Sequence, residues 1–389
     1  MLSLNITHHD GMARSGTITT EHGTYDTPAF MTVGTLGAPK GVLPGQVTDH
    51  GGQVLLMNAF HLAWRPGEER VKRMGGLHKY SGWRGPILTD SGGFQIFSLP
   101  GLRKITDDGA LFASAVDGAQ RLFSPESVVD IECALGPDMA MVLDECPPFP
   151  CAPEVLTSAV DRSIRWAERS VQHIKKLGGE SGGAVDHVNF FGIVQGGFNP
   201  RERQRSLDAT AALPFAGLAL GGFCVGETIE DTHSGIVYTA PKMPAERPRY
   251  LMGMGTPPDI LLACAHGVDM FDCTLPTRNG RNGLAFTSQG GLRVKNARYA
   301  EDAAPLDPAC ACYTCKNFSR AFLRHLLLAR EMNAAILISL HNLAFYFNLM
   351  QGIREAIKAR KLADFSAAFL ARWNSGEGDA GGAETAPGE

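Results

Sequence analysis

Three aspartates and one glutamine recur in the same kind of place along this 389-residue sequence, directly after a short apolar run. Asp90 follows 86–89, Asp144 follows 139–143, Gln195 follows 190–194 and Asp272 follows 268–271. Glycines take that place elsewhere: Gly221 and Gly222 after Leu220, and Gly253 and Gly255 after Met252. Carboxylates gathered in one pocket can divide labour. One stays ionised as a nucleophile or cation stabiliser while another, with a raised pKa, moves protons. Retaining glycosidases use that division to form a covalent intermediate at an anomeric carbon. Asp and Gln also match the hydrogen-bonding edge of a purine, so a base-exchanging site would set one carboxylate at the sugar and another at the base. Taken singly, each residue would serve equally well as a helix cap or turn residue. Their joint recurrence is what argues for a site.

A second constellation is Cys310-x-Cys312-x2-Cys315 with His341 further along. Three thiolates and an imidazole make a closed tetrahedral set typical of structural Zn2+, with no position left for water. Such sites bind with an apparent energy of roughly 10–16 kcal/mol. Spacing alone leaves open a loop of free thiols beside a core histidine. A zinc-dependent hydrolase would instead need an open coordination position and ligands at the ends of the apolar runs. Cys146, Cys224 and Cys273 adjoin candidate residues but lack a sequence partner for thiolate activation. His61 reads as a packed or capping histidine, and Met139, Met141, Met252, Met254 and Met270 as core filling.

The elements that must position these residues are eight apolar runs: Ala29–Val33, 54–57, 86–89, 139–143, 190–194, 215–220, 250–252 and 268–271. Eight near-continuous apolar strands separated by helices predict an α/β fold, a (β/α)8 TIM barrel. Helices are expected from Pro153 through Ile174, at 201–212 and at 258–265. In a parallel barrel the run ends open onto one face, where barrel enzymes work. The cysteine-rich stretch breaks the strand–helix rhythm, so a zinc-binding subdomain at about 296–345 is expected as an insertion near the C-terminus of one domain spanning 1–374. A glycine-rich insertion at 178–186 and a tail at 375–389 are too poor in large apolar residues to pack.

Hydrophobic residues make up 44% and charged residues 20%, enough for a sizeable core. Nine cysteines in this pattern suggest a reducing, cytoplasmic setting. No apolar stretch is expected to reach membrane-spanning length, and residues 1–10 lack the basic-then-apolar order of a signal peptide, so no membrane partner is expected. A net charge of −4 excludes a globally basic nucleic-acid binder, yet 278–330 holds nine Lys and Arg against three acids. That local basic face suits phosphate contacts as well as an ordinary solvated surface.

The segments Thr89-Asp90-Ser91-Gly92-Gly93-Phe94-Gln95, Leu143-Asp144-Glu145-Cys146, Gly192-Ile193-Val194-Gln195-Gly196-Gly197, Phe271-Asp272-Cys273 and Leu275-Pro276-Thr277-Arg278-Asn279-Gly280-Arg281 resemble bacterial-type tRNA-guanine transglycosylases. The resemblance covers about 6–373. It implies a ping-pong exchange in which the wobble guanine of tRNAs with a GUN anticodon (those for Asp, Asn, His and Tyr) is replaced by 7-aminomethyl-7-deazaguanine (preQ1) in queuosine biosynthesis. Asp272 would be the nucleophile on the ribose and Asp90 the general acid and base. Asp144, Gln195 and Gly222 would bond the purine, with Asp90, Ser91, Gly92, Gly93 and Phe94 lining the same pocket and Phe94 stacking on the base. The anticodon loop would be read by Gly253, Met254, Gly255, Thr256, Pro257, Pro258 and Asp259, and by Thr277, Arg278, Asn279, Gly280 and Arg281. A flipped, single-stranded loop is what such a pocket can read.

The resemblance further implies one structural Zn2+ per subunit on Cys310, Cys312, Cys315 and His341, no nucleotide or redox cofactor, and a homodimer paired through aromatics near Phe318, Phe322 and His325. The segment Gly221-Gly222-Phe223-Cys224-Val225-Gly226-Glu227 departs from the commoner Gly-Gly-Leu-Ala-Val-Gly-Glu. Val225 favours preQ1, since members that accept queuine tend to carry glycine there; Phe223 bears on the same choice. Glu227 is expected to support the nearby backbone. The rival readings are the same enzyme class using queuine, and a noncatalytic RNA-binding subunit. Subunits of the second kind lose catalytic residues, whereas Asp90 and Asp272 are both present. An archaeal-type enzyme would carry further RNA-binding domains.

Overall fold

All eight apolar runs become strands of one closed parallel ring. The computed structural model of the chain describes residues 2–114, 118–178 and 184–375. Its barrel strands are β1 (Ala29–Val33), β2 (Leu55–Asn58), β3 (Ile87–Asp90), β4 (Met139–Met141), β5 (Val188–Val194), β6 (Gly217–Leu220), β7 (Arg249–Leu251) and β8 (Met270–Cys273). Each pairs in parallel with its neighbours in sequence, and β8 pairs with β1 to close the ring. The expected (β/α)8 barrel is therefore what the chain forms.

Strand alternation sorts the side chains into two cores. Met31, Leu56, Leu88, Met139, Met141, Ile193, Ala219, Tyr250 and Met270 fill the interior. Phe30, Leu55, Ile87, Phe190, Leu218 and Phe271 point outward into the helix layer. Met252 packs against the interior group, whereas Met254, expected as barrel filling, belongs to the outer layer. The period of two explains why both faces of these strands are apolar.

One end of the barrel is plugged. An antiparallel sheet of Ser3–Asp10, Ala13–Thr20 and Gly23–Thr27 precedes β1. It sends Ile18 and Tyr25 into the interior core, where the Tyr25 hydroxyl lies 3.3 Å from Met139 Sδ and 3.5 Å from Met270 Sδ. Met139 and Met270 begin their strands, so the plugged end is the N-terminal one. A second small sheet, Arg103–Thr106, Gly109–Ala113 and Gln120–Phe123, follows β3.

The expected helices are present as α1 (Pro153–Lys176), α2 (Pro200–Ala211) and α3 (Pro257–Ala265), each with proline in its first turn. Asn199 and Thr256 cap the last two by accepting from backbone N–H groups of the first turn. After β8 come α4 (Leu275–Asn282), a hairpin of Leu284–Thr287 and Gly290–Arg293, the cysteine loop, and the long helix α5 (Met332–Lys358). Contrary to the expectation from the sequence, α5 is long and apolar enough to cross a membrane by length and composition alone, but 72% of its most apolar stretch is buried inside the protein. It packs so closely on α4 that a Cβ on Gly280 would lie 2.7 Å from the Ser339 backbone. Residues 179–183 of the glycine-rich insertion and the 376–389 tail lie outside the described residues.

Candidate active site

Strand parity decides which side chains reach the open end. Asp90 ends β3 two residues after inward Leu88, and Asp272 lies in β8 two residues after inward Met270. Gln195 follows β5 two residues after inward Ile193. Asp144 lies beyond β4 and is drawn to the same place by Gln195, whose Nε2 donates to Asp144 Oδ2 at 2.5 Å. Asp144, Asp272 and Gln195 are 5%, 8% and 1% exposed, while Asp90 and Phe94 stay partly open to solvent. The buried groups thus form a floor and the partly open ones a rim.

Burial pushes the Asp90 carboxyl up to about 7, and the negative charges of Asp144 and Asp272 add to the shift; the Ser91 and Gly92 amides oppose it. Asn58, its register partner on β2, donates to Asp90 Oδ2 at 3.1 Å. Burial likewise raises Asp144 to about 6 against the Gln195 hydrogen bond. Asp272 is raised by burial, opposed by two donors to a single oxygen: the Tyr250 hydroxyl at 2.6 Å and the Gly253 N–H at 2.7 Å, both on Oδ1. A group titrating near 7 can give and take protons at neutral pH. A neighbour with one oxygen uncommitted can attack carbon.

The space beside Asp144 and Gln195 admits only glycine at two positions. A Cβ on Gly93 would strike Asp144 Oδ1 at 1.8 Å, and one on Gly222, at φ +74°, would meet Gln195 Oε1 at 2.5 Å. Gln195 Oε1 and Ser91 Oγ are buried without hydrogen-bond partners among the described residues, as acceptors and donors awaiting a ligand would be. The Phe223 ring is buried, 4.4 Å from the Arg203 guanidinium and edge-on to Phe198. Glu227 accepts from the Cys224 and Val225 amides at 2.5 and 2.8 Å and from Thr232 Oγ1 at 3.0 Å, fixing the loop that carries Cys224 at φ +60°.

A family model described as queuine tRNA-ribosyltransferase matches residues 9–375. Proteins named queuine tRNA-ribosyltransferase from Nitratidesulfovibrio vulgaris and Aromatoleum aromaticum are each 48% identical to this chain, over 93% and 94% of it and 95% and 97% of their own lengths. One from Pseudomonas aeruginosa is also 48% identical, over 93% of this chain and 95% of its own. The chain belongs to the queuine tRNA-ribosyltransferase family. It is accordingly an enzyme of the tRNA-guanine transglycosylase class.

Of the stretches that the family resemblance assigns to RNA, the structure separates rim from support. Gly253, Thr256, Pro258, Arg278, Asn279 and Arg281 reach the surface at least in part, whereas Met254, Gly255, Pro257, Asp259, Thr277 and Gly280 are buried. Asp259 accepts from His233 at 2.9 Å and Thr256 caps its helix, so this loop is held from beneath. Burial and the Arg278 charge lower the Arg281 pKa, and Arg281 Nη1 has no hydrogen-bond partner among the described residues. Crowded cations of this kind favour an anion.

The chain also presents a group able to hold a metal. Cys310, Cys312, Cys315 and His341 place one ligand atom each within 4.8 Å of one another. His341 Nε2 lies 2.7 Å from the Phe286 carbonyl, which makes it the N–H donor and turns the Nδ1 lone pair toward Cys312 and Cys315 Sγ at 3.6 and 3.3 Å. The donor chemistry fits a soft, tetrahedral cation. His341 belongs to α5, and its neighbour Asn342 ties α5 to Pro276, Leu284 and Phe286, so the group braces the α4 stretch.

A second group that could hold a metal, His22, His78 and Asp138, lies at the plugged end. Its two imidazoles stack with centroids 3.5 Å apart and planes 14° apart. Nearly parallel rings cannot aim both in-plane lone pairs at one ion, so the group reads as a hydrogen-bonded lock on Asp138.

Burial pushes the Cys224 thiol up to about 12 and raises Cys146 and Cys273 as well, which disfavours the thiolate at all three. His61 donates its amide to Asn58, the cap of its helix. Sequence reasoning missed Asn58 and Tyr250. Asn58 ends its strand exactly where Asp90 ends the next in register, a signal the alignment of run ends could have supplied.

Proposed function

We propose that this chain replaces the wobble guanine of GUN-anticodon tRNAs with preQ1 through a covalent aspartyl–ribose intermediate. The observation that carries the reading is the pairing of Asp90, titrating near 7 beside two other carboxylates, with Asp272, whose Oδ1 alone is held. Asp272 Oδ2 attacks C1′ of the ribose, the C1′–N9 electron pair leaves with guanine, and Asp90 supplies the proton. The incoming deazaguanine then loses its proton to Asp90 and attacks C1′, releasing the carboxylate. Asp144, Gln195 and Gly222 bond the purine in the cradle that Ser91, Gly92 and Gly93 line, with Phe94 stacked on it. The rim around Gly253–Asp259 and Thr277–Arg281 receives the anticodon loop, the buried members setting its shape.

In this reading Cys310, Cys312, Cys315 and His341 hold one Zn2+, which supplies a structural crosslink and takes no part in the reaction. Val225, in the loop that Glu227 holds, supports preQ1 over queuine as the family resemblance implies, while Phe223 packs on Arg203. A homodimer is supported by the aromatic patch: Tyr313 and Phe322 are 54% and 42% exposed, His325 is exposed, and Phe318 stacks on Phe322 at 5.5 Å. Nine free cysteines favour a cytoplasmic, reducing setting.

The test is exchange of labelled guanine into an anticodon stem-loop, followed by competition between preQ1 and queuine. Preferential incorporation of preQ1 is expected. Preference for queuine would reverse the substrate assignment, and no exchange at all would overturn the reaction.

A further inference from the structure

Tyr250 has no part in the exchange as set out above, yet it touches the nucleophile. It points into the barrel from β7 and is 1% exposed. Its hydroxyl and the Gly253 amide both donate to Asp272 Oδ1, and no hydrogen bond from a described residue reaches Oδ2. Burial and the Asp272 charge hold the phenol well above its usual 10, so it remains a donor across the working pH range.

Two donors on one oxygen do more than fix a rotamer. When Asp272 is a free carboxylate, its charge is shared with Oδ1 and both hydrogen bonds are charge-assisted. When Oδ2 is esterified to C1′, Oδ1 is a neutral carbonyl and the same bonds weaken, since bonds to ionised acceptors are roughly twice as strong as neutral ones. The donors therefore favour the departed carboxylate over the ester. During breakdown N9 of the incoming base bonds to C1′, the C1′–Oδ2 bond breaks, and its electron pair returns to the carboxylate as negative charge grows on Oδ1.

We propose that Tyr250 is a positioning residue that makes Asp272 a good leaving group, accelerating discharge of the covalent ribosyl–enzyme ester rather than its formation. The inference rests on Asp272 as nucleophile. The experiment uses the full chain with its metal and an anticodon stem-loop. Without added base, guanine release and denaturant-stable adduct report formation; excess guanine then reports discharge.

In Tyr250→Phe, formation should stay within about threefold or quicken, while discharge slows on the order of ten- to a hundredfold and adduct accumulates. Replacing Tyr250 with 3-fluorotyrosine, a stronger donor, should speed discharge, and this arm decides if the phenylalanine variant does not fold. Unchanged discharge in both variants, or formation and discharge slowed equally, overturns the role given to Tyr250. Absence of adduct in the unsubstituted protein instead overturns the nucleophile assignment on which it depends.

Discussion

Aspartates stand at both ends of the barrel strands, and Asp138 at the plugged end is held unlike Asp90 and Asp144 at the open one. At the plugged end Asp138, just before β4, accepts from the Ile87 and His22 amides at 2.9 and 3.0 Å and lies 3.0 Å from nitrogens of both His22 and His78. Burial alone would raise its pKa, but the His78 and backbone donors win and hold it well below the usual carboxylate range. Nearby, Asp269 takes a bidentate ion pair from Arg14 at 2.8 and 2.6 Å, although its complete burial still raises its pKa against Arg14 and Arg249. At the open end Asp90 and Asp144 have fewer donors than burial requires and are raised to about 7 and 6. The same residue type is a charged anchor at Asp138, where donors outweigh burial, and under the proposed function serves chemistry at Asp90 and Asp144, where they do not.

Substitutions break this contrast in a definite order. Asp272→Ala should lower exchange by about 10⁴-fold or more while leaving thermal stability near that of the unsubstituted chain. Asp138→Ala should do the reverse: unfolding free energy falls by roughly 3–5 kcal/mol because buried donors lose their acceptor, while kcat of the folded fraction changes by less than about twofold. Denaturant titration and steady-state exchange, run side by side, check both.

Asp90→Asn should cost about 10²–10⁴-fold in exchange and sharpen the comparison through pH. The folded pKa of Asp90 is raised, so its ionisation destabilises the protein as pH rises from about 4 through 7. Asp90→Asn should therefore be the more stable form at pH 8, with the advantage vanishing toward pH 4. Asp138 has a depressed pKa, so its stabilisation is present above about 4 and is lost as pH falls below that value. The smallest effect is expected from Asp144→Asn, which removes a negative neighbour and should move the pH limb assigned to Asp90 in guanine release below 7. A chelator, finally, should loosen the α4 stretch and weaken RNA binding before it unfolds the barrel, as hydrogen exchange across Leu275–Asn282 would report.

The barrel was legible in the sequence because its strands are buried on both faces and appear as continuous apolar runs; all eight were found. The Ser3–Thr27 and Arg103–Phe123 sheets were not, since most of their strands are short and rich in polar residues, and the one apolar run among them, at 110–113, has no chemistry-bearing residue at its end to mark it. Asp90, Asp144, Gln195 and Asp272 stood out by recurring at run ends. Tyr250 did not, because inside an apolar run it looks like any core aromatic, and only the cross-strand contact to Asp272 reveals its hydroxyl. Asp138 was equally hidden: it precedes its run, and its His22 and His78 partners come from segments 116 and 60 residues away.

The central claim is that unsatisfied carboxylates at the open end do the bond-making, with Asp272 as the atom donor. Mixing the protein with an anticodon stem-loop and no incoming base, followed by intact-mass analysis and peptide mapping, tests it directly. The account predicts an RNA adduct on the peptide containing Asp272, lost in Asp272→Ala. An adduct on Asp90 or Asp144, or exchange that proceeds through no adduct, would contradict it.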